Sequence, residues 1–297
     1  MSEPRQTGTR AGRALVTGAS RGIGKAVAEA LVREGWDVTG TCRNPRRLAA
    51  GDRVDGVRYL ALDLSKERDI TAVARAAGEI DLLVNNAGES PIGPAEEFPL
   101  RRMRQHFDIN FFGPVALMQG LLPGMRERQK GTMIFIGSIR GEAPTPFSSI
   151  YSASKAATRA FTECLRLELM GTGVRAAVIV PWYVRTGLAQ ERFIAKKSPY
   201  AGSLESVSKE REKTIARAPD PGIVAAAVLR LARSRDPAPV TIVGRPLMTI
   251  FVRHAPRRLL GRMAARVTGM RPVDQPREAR LSGGGFPRHQ RARPRDV

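Results

Sequence analysis

Tyr151 and Lys155 are the residues of this chain whose types and spacing could do chemistry. Four residues apart on a helix, they point the same way. A phenol ordinarily titrates near pH ~10 and is a poor proton shuttle at neutral pH. A fixed ammonium beside it favours the phenolate, lowers that value and makes a tuned proton donor and acceptor. The residues that follow, Ala156, Ala157, Ala160, Phe161, Cys164, Leu165 and Leu167, predict a mostly buried helix that begins at the pair. Alone, Tyr-x-x-x-Lys also describes an ordinary amphipathic helix, so its meaning depends on the rest of the chain.

A second constellation is Gly18-Ala-Ser20-Arg21-Gly22-Ile23-Gly24, set between the apolar run Arg13–Ala19 and a helical pattern over Lys25–Glu34. A glycine-rich turn between strand and helix lets the backbone approach a pyrophosphate, and the helix N-terminus attracts its charge. The spacing is G-x-x-x-G-x-G rather than G-x-G-x-x-G, and a tight structural turn is the competing reading. The next strand, Asp37–Arg43, is followed by no acid before Gly51 to bind a ribose 2′-hydroxyl. Arg43 stands there instead and, with Arg21, suits a 2′-phosphate; Arg46 and Arg47 also read as a solvated basic loop.

The elements that must position these residues alternate. Strands are predicted at Val57–Leu64, Asp81–Gly88, Gly131–Ser138, Val174–Trp182 and Pro239–Gly244. Helices are predicted from an N-cap at Ser65 to about Ile80, at about 100–128, after Tyr151, and at 222–234. Residues 183–219 read as a long polar insertion. Alternation of this kind means a single doubly wound parallel sheet, an α/β Rossmann fold, with ligands beyond the carboxyl ends of the strands. The Gly18 turn, Asn85-Asn86-Ala87-Gly88, Ser138 and Pro181 all end strands, so they converge on one edge. Asn85 and Asn86 need hydrogen-bond partners there, from a ligand or from a neighbouring loop. Asn110 inside a helix is mildly unfavourable, which points to a capping or kink-stabilising role.

The formal charge is +21 over 297 residues. Thirteen Arg against three acids in 245–297 supply +10 of it, and three Arg against one acid in 1–13 supply +2. Such a balance suits nucleic acid, an anionic membrane or a phosphorylated ligand. No nucleic-acid motif accompanies the arginines, so no nucleic-acid partner is expected, and 271–297 reads as a disordered Arg-rich tail. The apolar runs are far short of a spanning helix, the start lacks the apolar core of a secretory signal, and only Cys42 and Cys164 are present. Reduced thiols in the cytoplasm follow. His106, His254 and His289 are too scattered for a metal site, and His106 reads as part of a helix surface.

Thr17–Gly24, Asp63, Asn85–Gly88, Asn110, Ser138, Tyr151-x-x-x-Lys155 and Pro181 with Thr186 come in the order and spacing of one family. Over about residues 12–245 the chain resembles a short-chain dehydrogenase/reductase. The resemblance implies an NADP(H)-dependent oxidoreductase in which Tyr151 exchanges the proton of a carbonyl or alcohol and Ser138 orients it. Lys155 would lower the Tyr151 pKa and hold the nicotinamide ribose, and Asn110 would fix its helix and anchor a water relay. Gly18, Ser20, Arg21, Gly22, Ile23 and Gly24 would surround the pyrophosphate and adenosine, with Arg43 at the 2′-phosphate. Asp63 would meet the adenine, Asn86, Ala87 and Gly88 would wall the cleft, and Pro181 and Thr186 would contact the nicotinamide. The family also implies a homodimer or homotetramer. A cofactor-binding regulator or scaffold without turnover is the alternative, but such a protein would be expected to lose Tyr151 or Lys155. Trp182 departs from the family's Pro-Gly at this point and adds bulk beside the nicotinamide.

The narrower resemblance is to enzymes of lipophilic carbonyls or alcohols of steroid, retinoid or acyl type. Glu89, Ile92, Arg140, Glu142, Phe147, Trp182, Tyr183, Leu188 and Phe193 are the candidate pocket residues. Beyond the core, 246–270 is expected to form an amphipathic basic segment. Leu259, Leu260, Met263, Ala264 and Val267 recur at helical spacing beside an Arg258, Arg262 and Arg266 face. That pattern fits peripheral contact with an anionic membrane, and equally a helix that caps a pocket or packs on a subunit.

Overall fold

The computed structural model describes residues 11–187 and 191–270. Seven strands form one parallel sheet: β1 (Arg13–Val16), β2 (Asp37–Cys42), β3 (Val57–Ala61), β4 (Leu82–Asn85), β5 (Gly131–Ile136), β6 (Val174–Pro181) and β7 (Val240–Val243). Their order is β3-β2-β1-β4-β5-β6-β7, so the winding reverses between β1 and β4. There Val16 stands beside Val84 in register, and Thr17 N donates to Val84 O at 3.0 Å. The central strands are buried on both faces and are accordingly runs of Val, Ile, Leu and Ala.

Helices α1 (Gly22–Arg33) and α7 (Gly222–Arg233) cover one face through Val27, Leu31, Val224, Val228 and Leu231. Helices α2 (Glu67–Ala77), α4 (Gly113–Glu127) and α5 (Ser149–Glu168) cover the other through Ile70, Val73, Leu117, Leu121 and Leu165. Ser65 does not cap α2, which has Lys66 at its N-cap and no side-chain cap; the Ser65 hydroxyl donates to Asp63 Oδ1 at 2.7 Å instead.

The expected helix over 100–128 is interrupted. α3 (Leu100–Phe107) passes into α4 through a π-helical turn, Asp108–Phe112, which holds Asn110 at its middle. α5 is not mostly buried as its apolar residues implied: Ala156, Ala160, Cys164 and Leu167 are exposed. Its inner face carries hydroxyls instead. Thr158 and Thr162 donate to the carbonyls of Ser154 and Thr158 at 2.9 and 2.7 Å, so their polar atoms are satisfied inside the helix and can be buried.

Residues 183–219 are not a plain insertion. They contain α6 (Ala201–Ala216), which buries Ser203, Leu204, Val207 and Ser208. The C-terminal segment forms α8 (Pro246–His254) and α9 (Arg257–Val267). α8 docks on the same chain. Trp182 Nε1 donates to Thr249 Oγ1, whose own hydroxyl donates to Arg245 O at 3.0 Å. Arg253 reaches Glu142 through Nε and Nη2, at 2.6 and 2.9 Å, and Arg159 Nη1 meets the same carboxylate at 2.5 Å.

Glu142 is thus a buried anion shared by two arginines. Burial favours its neutral form, but the two guanidiniums outweigh that and hold its pKa below the usual carboxylate range. Removing the shared partner leaves two like charges facing each other. We expect Glu142→Ala to cost about 3 kcal/mol in urea unfolding, and Arg253→Ala distinctly less, because Arg159 still satisfies Glu142. Equal losses in both variants would mean that the two ion pairs are independent.

Candidate active site

The loops after β1, β4, β5 and β6 open on one edge of the sheet and wall a cleft of about 1180 Å³. Its position beside the β1/β4 reversal is where doubly wound folds bind ligands. At one end lies the glycine turn. Gly18 adopts φ +68°, and a Cβ on Gly24 would collide with Gly18 O and Asn86 Nδ2, so the turn packs tightly against the strand 4 loop. Asn86 finds its partners in that loop pair: its Nδ2 donates to Thr17 O and its N to Thr17 Oγ1, both at 2.9 Å. No side chain caps α1, so its first N–H groups are left to a ligand or to water. A glycine cradle under an uncapped helix N-terminus fits the pyrophosphate of a dinucleotide.

Gly18, Ser20, Arg21, Gly22, Ile23, Arg43, Asp63, Asn86, Ala87, Gly88, Ser138, Tyr151, Lys155, Pro181 and Thr186 all line the cleft. Gly24 lies beneath its floor as packing. Asp63 is held by Ser65, accepting from its N at 3.1 Å as well as its hydroxyl. Asn110 is behind the wall, only 3% exposed.

Tyr151 enters from the first turn of α5, with Lys155 one turn on. The Lys155 ammonium donates to Ile136 O at 2.8 Å and lies 6.0 Å from the Tyr151 ring centroid. Burial opposes ionisation of the phenol. The Lys155 charge, a hydrogen bond from Ser138, and the Arg140 and Arg211 charges together outweigh it, so the Tyr151 pKa falls below that of a free phenol. Burial also lowers the pKa of Lys155, against the opposing pull of Tyr151.

Behind this pair the structure corrects a reading of the sequence. His106 is not on a helix surface; it is fully buried. It sits in the last turn of α3, four residues before Asn110, so the two side chains share one inward face. His106 Nε2 lies 3.2 Å from Asn110 Nδ2 and 3.1 Å from Ser154 Oγ, and Nδ1 lies 3.2 Å from Glu89 Oε1. With Asn110 donating to Nε2, Nδ1 is assigned the proton and donates to Glu89. Asn110 closes the set: Oδ1 accepts from Glu89 N at 2.9 Å and Nδ2 donates to Glu89 O at 3.0 Å. Ser154 Oγ donates to Tyr151 O at 2.8 Å, so the network reaches the backbone of the tyrosine.

Of the candidate pocket residues, Glu89, Arg140, Trp182 and Tyr183 line the cleft. Glu142 is committed to its arginines, Phe193 to Phe98 with ring centroids 4.4 Å apart, and Phe147 to Tyr200 at 6.1 Å. Ile92 is buried. Leu188 lies outside the described residues. The sequence reading missed Arg211, which α6 brings to the cleft. A signal existed: Leu204, Val207, Arg211 and Ile215 share one helical face, which puts the arginine on the apolar side.

Glu89 has the largest consequence for pH. Burial raises its pKa, but hydrogen bonds from His106 and Arg102 prevail and pull it down to about 2. A depressed carboxylate stabilises the fold above its unfolded value of ~4.3, and that share is lost as pH falls toward the folded one. Urea midpoints should therefore decline below pH ~4.3, and Glu89→Gln should be less stable at pH 7 with a flatter acid slope. Superimposable slopes would remove Glu89 from the acid transition.

The sequence pattern described as short chain dehydrogenase matches residues 13–197. A dehydrogenase/reductase SDR family member 7B from Rattus norvegicus is 36% identical over 69% of this chain and 68% of its own length. A 3-ketodihydrosphingosine reductase from Bacteroides thetaiotaomicron is 30% identical over 80% of this chain and 90% of its own. The solved short-chain dehydrogenase from Streptomyces avermitilis superposes with a TM-score of 0.73 at 30% identity, over 88% of this chain and 96% of that one. A single parallel seven-stranded sheet, a nicotinamide-type cleft at its switch point and these matches agree: the chain belongs to the short-chain dehydrogenase/reductase family of oxidoreductases.

Proposed function

We propose that the protein is an NADPH-linked reductase of lipophilic ketones or aldehydes of acyl, steroid or retinoid type, running in reverse as a dehydrogenase of the matching secondary alcohol. The observation that carries this is the Tyr151 phenol, acidified by Lys155 and hydrogen-bonded by Ser138 at the mouth of a dinucleotide cleft. A nicotinamide supplies or accepts the hydride. The chain's own residues handle the charge and the proton. In reduction, negative charge grows on the carbonyl oxygen; Ser138 donates to it and Tyr151 gives it a proton, while the Lys155 ammonium stabilises the phenolate left behind. Asn110, His106 and Glu89 hold the wide turn that supports the tyrosine helix.

NADPH is favoured over NADH because Arg21 and Arg43 stand on the cleft wall and no acid follows β2. The lipophilic substrate is supported by the apolar wall Pro91, Val184, Ile215 and Ala216, and by the relative named for reducing 3-ketodihydrosphingosine. A homodimer or homotetramer is supported by exposed apolar residues at the start of α4 and the end of α5: Phe112, just before α4, Leu167, and Met170, just after α5, are 56%, 67% and 75% exposed. Contact with an anionic membrane is supported by exposed Leu247, Met248, Phe251 and Leu259 on α8 and α9 beside exposed Arg258, Arg262 and Arg266. No described helix is long and apolar enough to cross a membrane.

Tyr151→Phe removes only the proton-transfer group. It should abolish most NADPH oxidation and leave NADPH affinity nearly intact by fluorescence titration. Wild-type turnover in that variant would overturn the mechanism. Losing one arginine–phosphate contact is worth about 1.5–3 kcal/mol, so Arg43→Ala should weaken NADPH roughly ten- to a hundredfold. Equal efficiency with NADH and NADPH in the wild type would remove the cofactor preference.

Sedimentation reads the two assembly proposals together. In buffer the protein should run at dimer or tetramer mass, and a monomer would refute the first. With anionic vesicles at moderate salt it should pellet, and replacing Arg258, Arg262 and Arg266 by Gln should release it. Equal, negligible pelleting of both proteins leaves α9 with packing alone.

A further inference from the structure

Neither the cofactor cradle nor the proton transfer accounts for the indole of Trp182, which is half-buried and lines the cleft directly after Pro181. Tyr183 follows it. The Arg140 guanidinium carbon lies 5.4 Å from the Tyr183 ring centroid and 5.7 Å from that of Tyr151, so this stretch of wall belongs to the proton-donor end of the cleft.

The indole is held on two sides. Its N–H can only donate, and it is committed to Thr249 Oγ1. Thr249 is fully buried, and its own hydroxyl donates to Arg245 O at 3.0 Å, so the lone pairs left for the indole have a set direction. The backbone is fixed as well: Trp182 N donates to Val243 O at 2.9 Å. Gly244 adopts φ +116°, and a Cβ there would stand 2.9 Å from Trp182 Cβ, so a glycine is needed for β7 to turn into α8 this close to the indole. α8 in turn is tied to the loop after β5 by Arg253 and Glu142. Among the described residues, α8 itself lines none of the cleft. Its effect on the cleft passes through Trp182.

We propose that Trp182 is a specificity-determining wall at the substrate end of the cleft, and that Thr249 is the positioning residue that sets it from α8. The proposal rests on the reductase reading and narrows it. A close-packed ring pinned at its backbone and at its N–H does not yield to a bulky ligand. Because the wall stands at the proton-donor end, the bulk it meets is the bulk carried beside the reacting carbonyl. The substrate is then an open-chain carbonyl compound, unbranched at the carbon next to the carbonyl, and ring ketones and α-branched aldehydes are turned away. The C-terminal segment takes part in substrate choice without entering the cleft.

The test compares two isomers of equal polarity, octanal and 2-ethylhexanal, in the NADPH-oxidation assay. Wild type should favour octanal. Trp182→Ala opens the wall, and the octanal preference in kcat/KM should fall about tenfold or more, the factor that a methylene or two commands in an apolar pocket. The change should come mainly through KM for the branched aldehyde. Thr249→Val keeps the side-chain size and loses the acceptor, so the freed indole should move the ratio the same way by a smaller factor. Thr249→Ser, which keeps the hydroxyl, should restore the wild-type ratio. If Trp182→Ala lowers both isomers by the same factor and the ratio holds, the indole serves packing alone and the proposal is overturned.

A second readout needs no turnover. Octanamide and 2-ethylhexanamide carry the same skeletons on a carbonyl that NADPH does not reduce. Calorimetry on NADPH-saturated protein should show tighter binding of octanamide by wild type and a preference about tenfold smaller in Trp182→Ala. Trp182→Phe, which removes the N–H and keeps an aromatic ring, should lie between them; circular dichroism checks the folding of each variant. Equal binding of the two amides by wild type, or binding of neither, overturns the wall. If no carbonyl compound is reduced at all, the reductase reading fails, while the amides still decide the wall.

Discussion

The charge of Lys155 against the phenol of Tyr151 is the interaction on which the rest of the site depends. Neither group would keep a useful pKa alone in this surrounding. Burial alone drives a phenol toward its neutral form and an ammonium toward its neutral amine. Placed one helical turn apart, each offsets the burial of the other. The fold then has to keep them at that distance, and it does so economically: both sit on one helix, so α5 fixes their separation through its own hydrogen bonds. What remains is to hold α5 against the sheet. The ammonium contributes to this as well, through its bond to Ile136 O at the end of β5.

Support from behind comes through the π-helical turn. Asn110 sits at the middle of this turn and is buried, on the face that it shares with His106 four residues before it. The buried polar set that results, Glu89, His106, Asn110 and Ser154, joins the loop after β4, the end of α3 and the start of α5. Such networks are rigid when every member is satisfied. The bonds run from Glu89 through His106 and Asn110 to Ser154 and on to the Tyr151 carbonyl, so the loop and the helix cannot shift independently.

The seven strands, the glycine turn and the convergence of strand ends on one edge were legible because they rest on local patterns: continuous apolar runs, turn glycines and alternation. The site residues within those motifs were legible for the same reason. His106 was not, since a histidine among the polar residues of α3 gives no apolar signal, and its burial rests on partners far along the chain, Glu89 and Ser154. The inner face of α5 was misread because Thr158 and Thr162 look polar in a sequence and become apolar-compatible only once they bond the preceding turn. α6 was missed because its apolar positions are few. Residues 188–190 and 271–297 lie outside the described residues, so the readings made there, including the Arg-rich tail, stand apart from the structure.

Arg211 and Arg253 show what the variable parts of this chain contribute. The motif-bearing half of the molecule builds a cofactor cleft and a proton donor, and those requirements are the same for any carbonyl. α6 and α8 add one arginine each to two of the loops at the cleft edge, the one after β4 and the one after β5. Arg253 reaches Glu142, three residues after Ile139, and anchors the loop that follows Ser138. Arg211 reaches Ser90 and faces the cleft beside Arg140. One arginine is neutralised by a buried carboxylate and so serves structure. The other bonds Ser90 and so ties the loop after β4 to α6, which leaves both helices that follow the motif-bearing core fastened to loops that carry site residues.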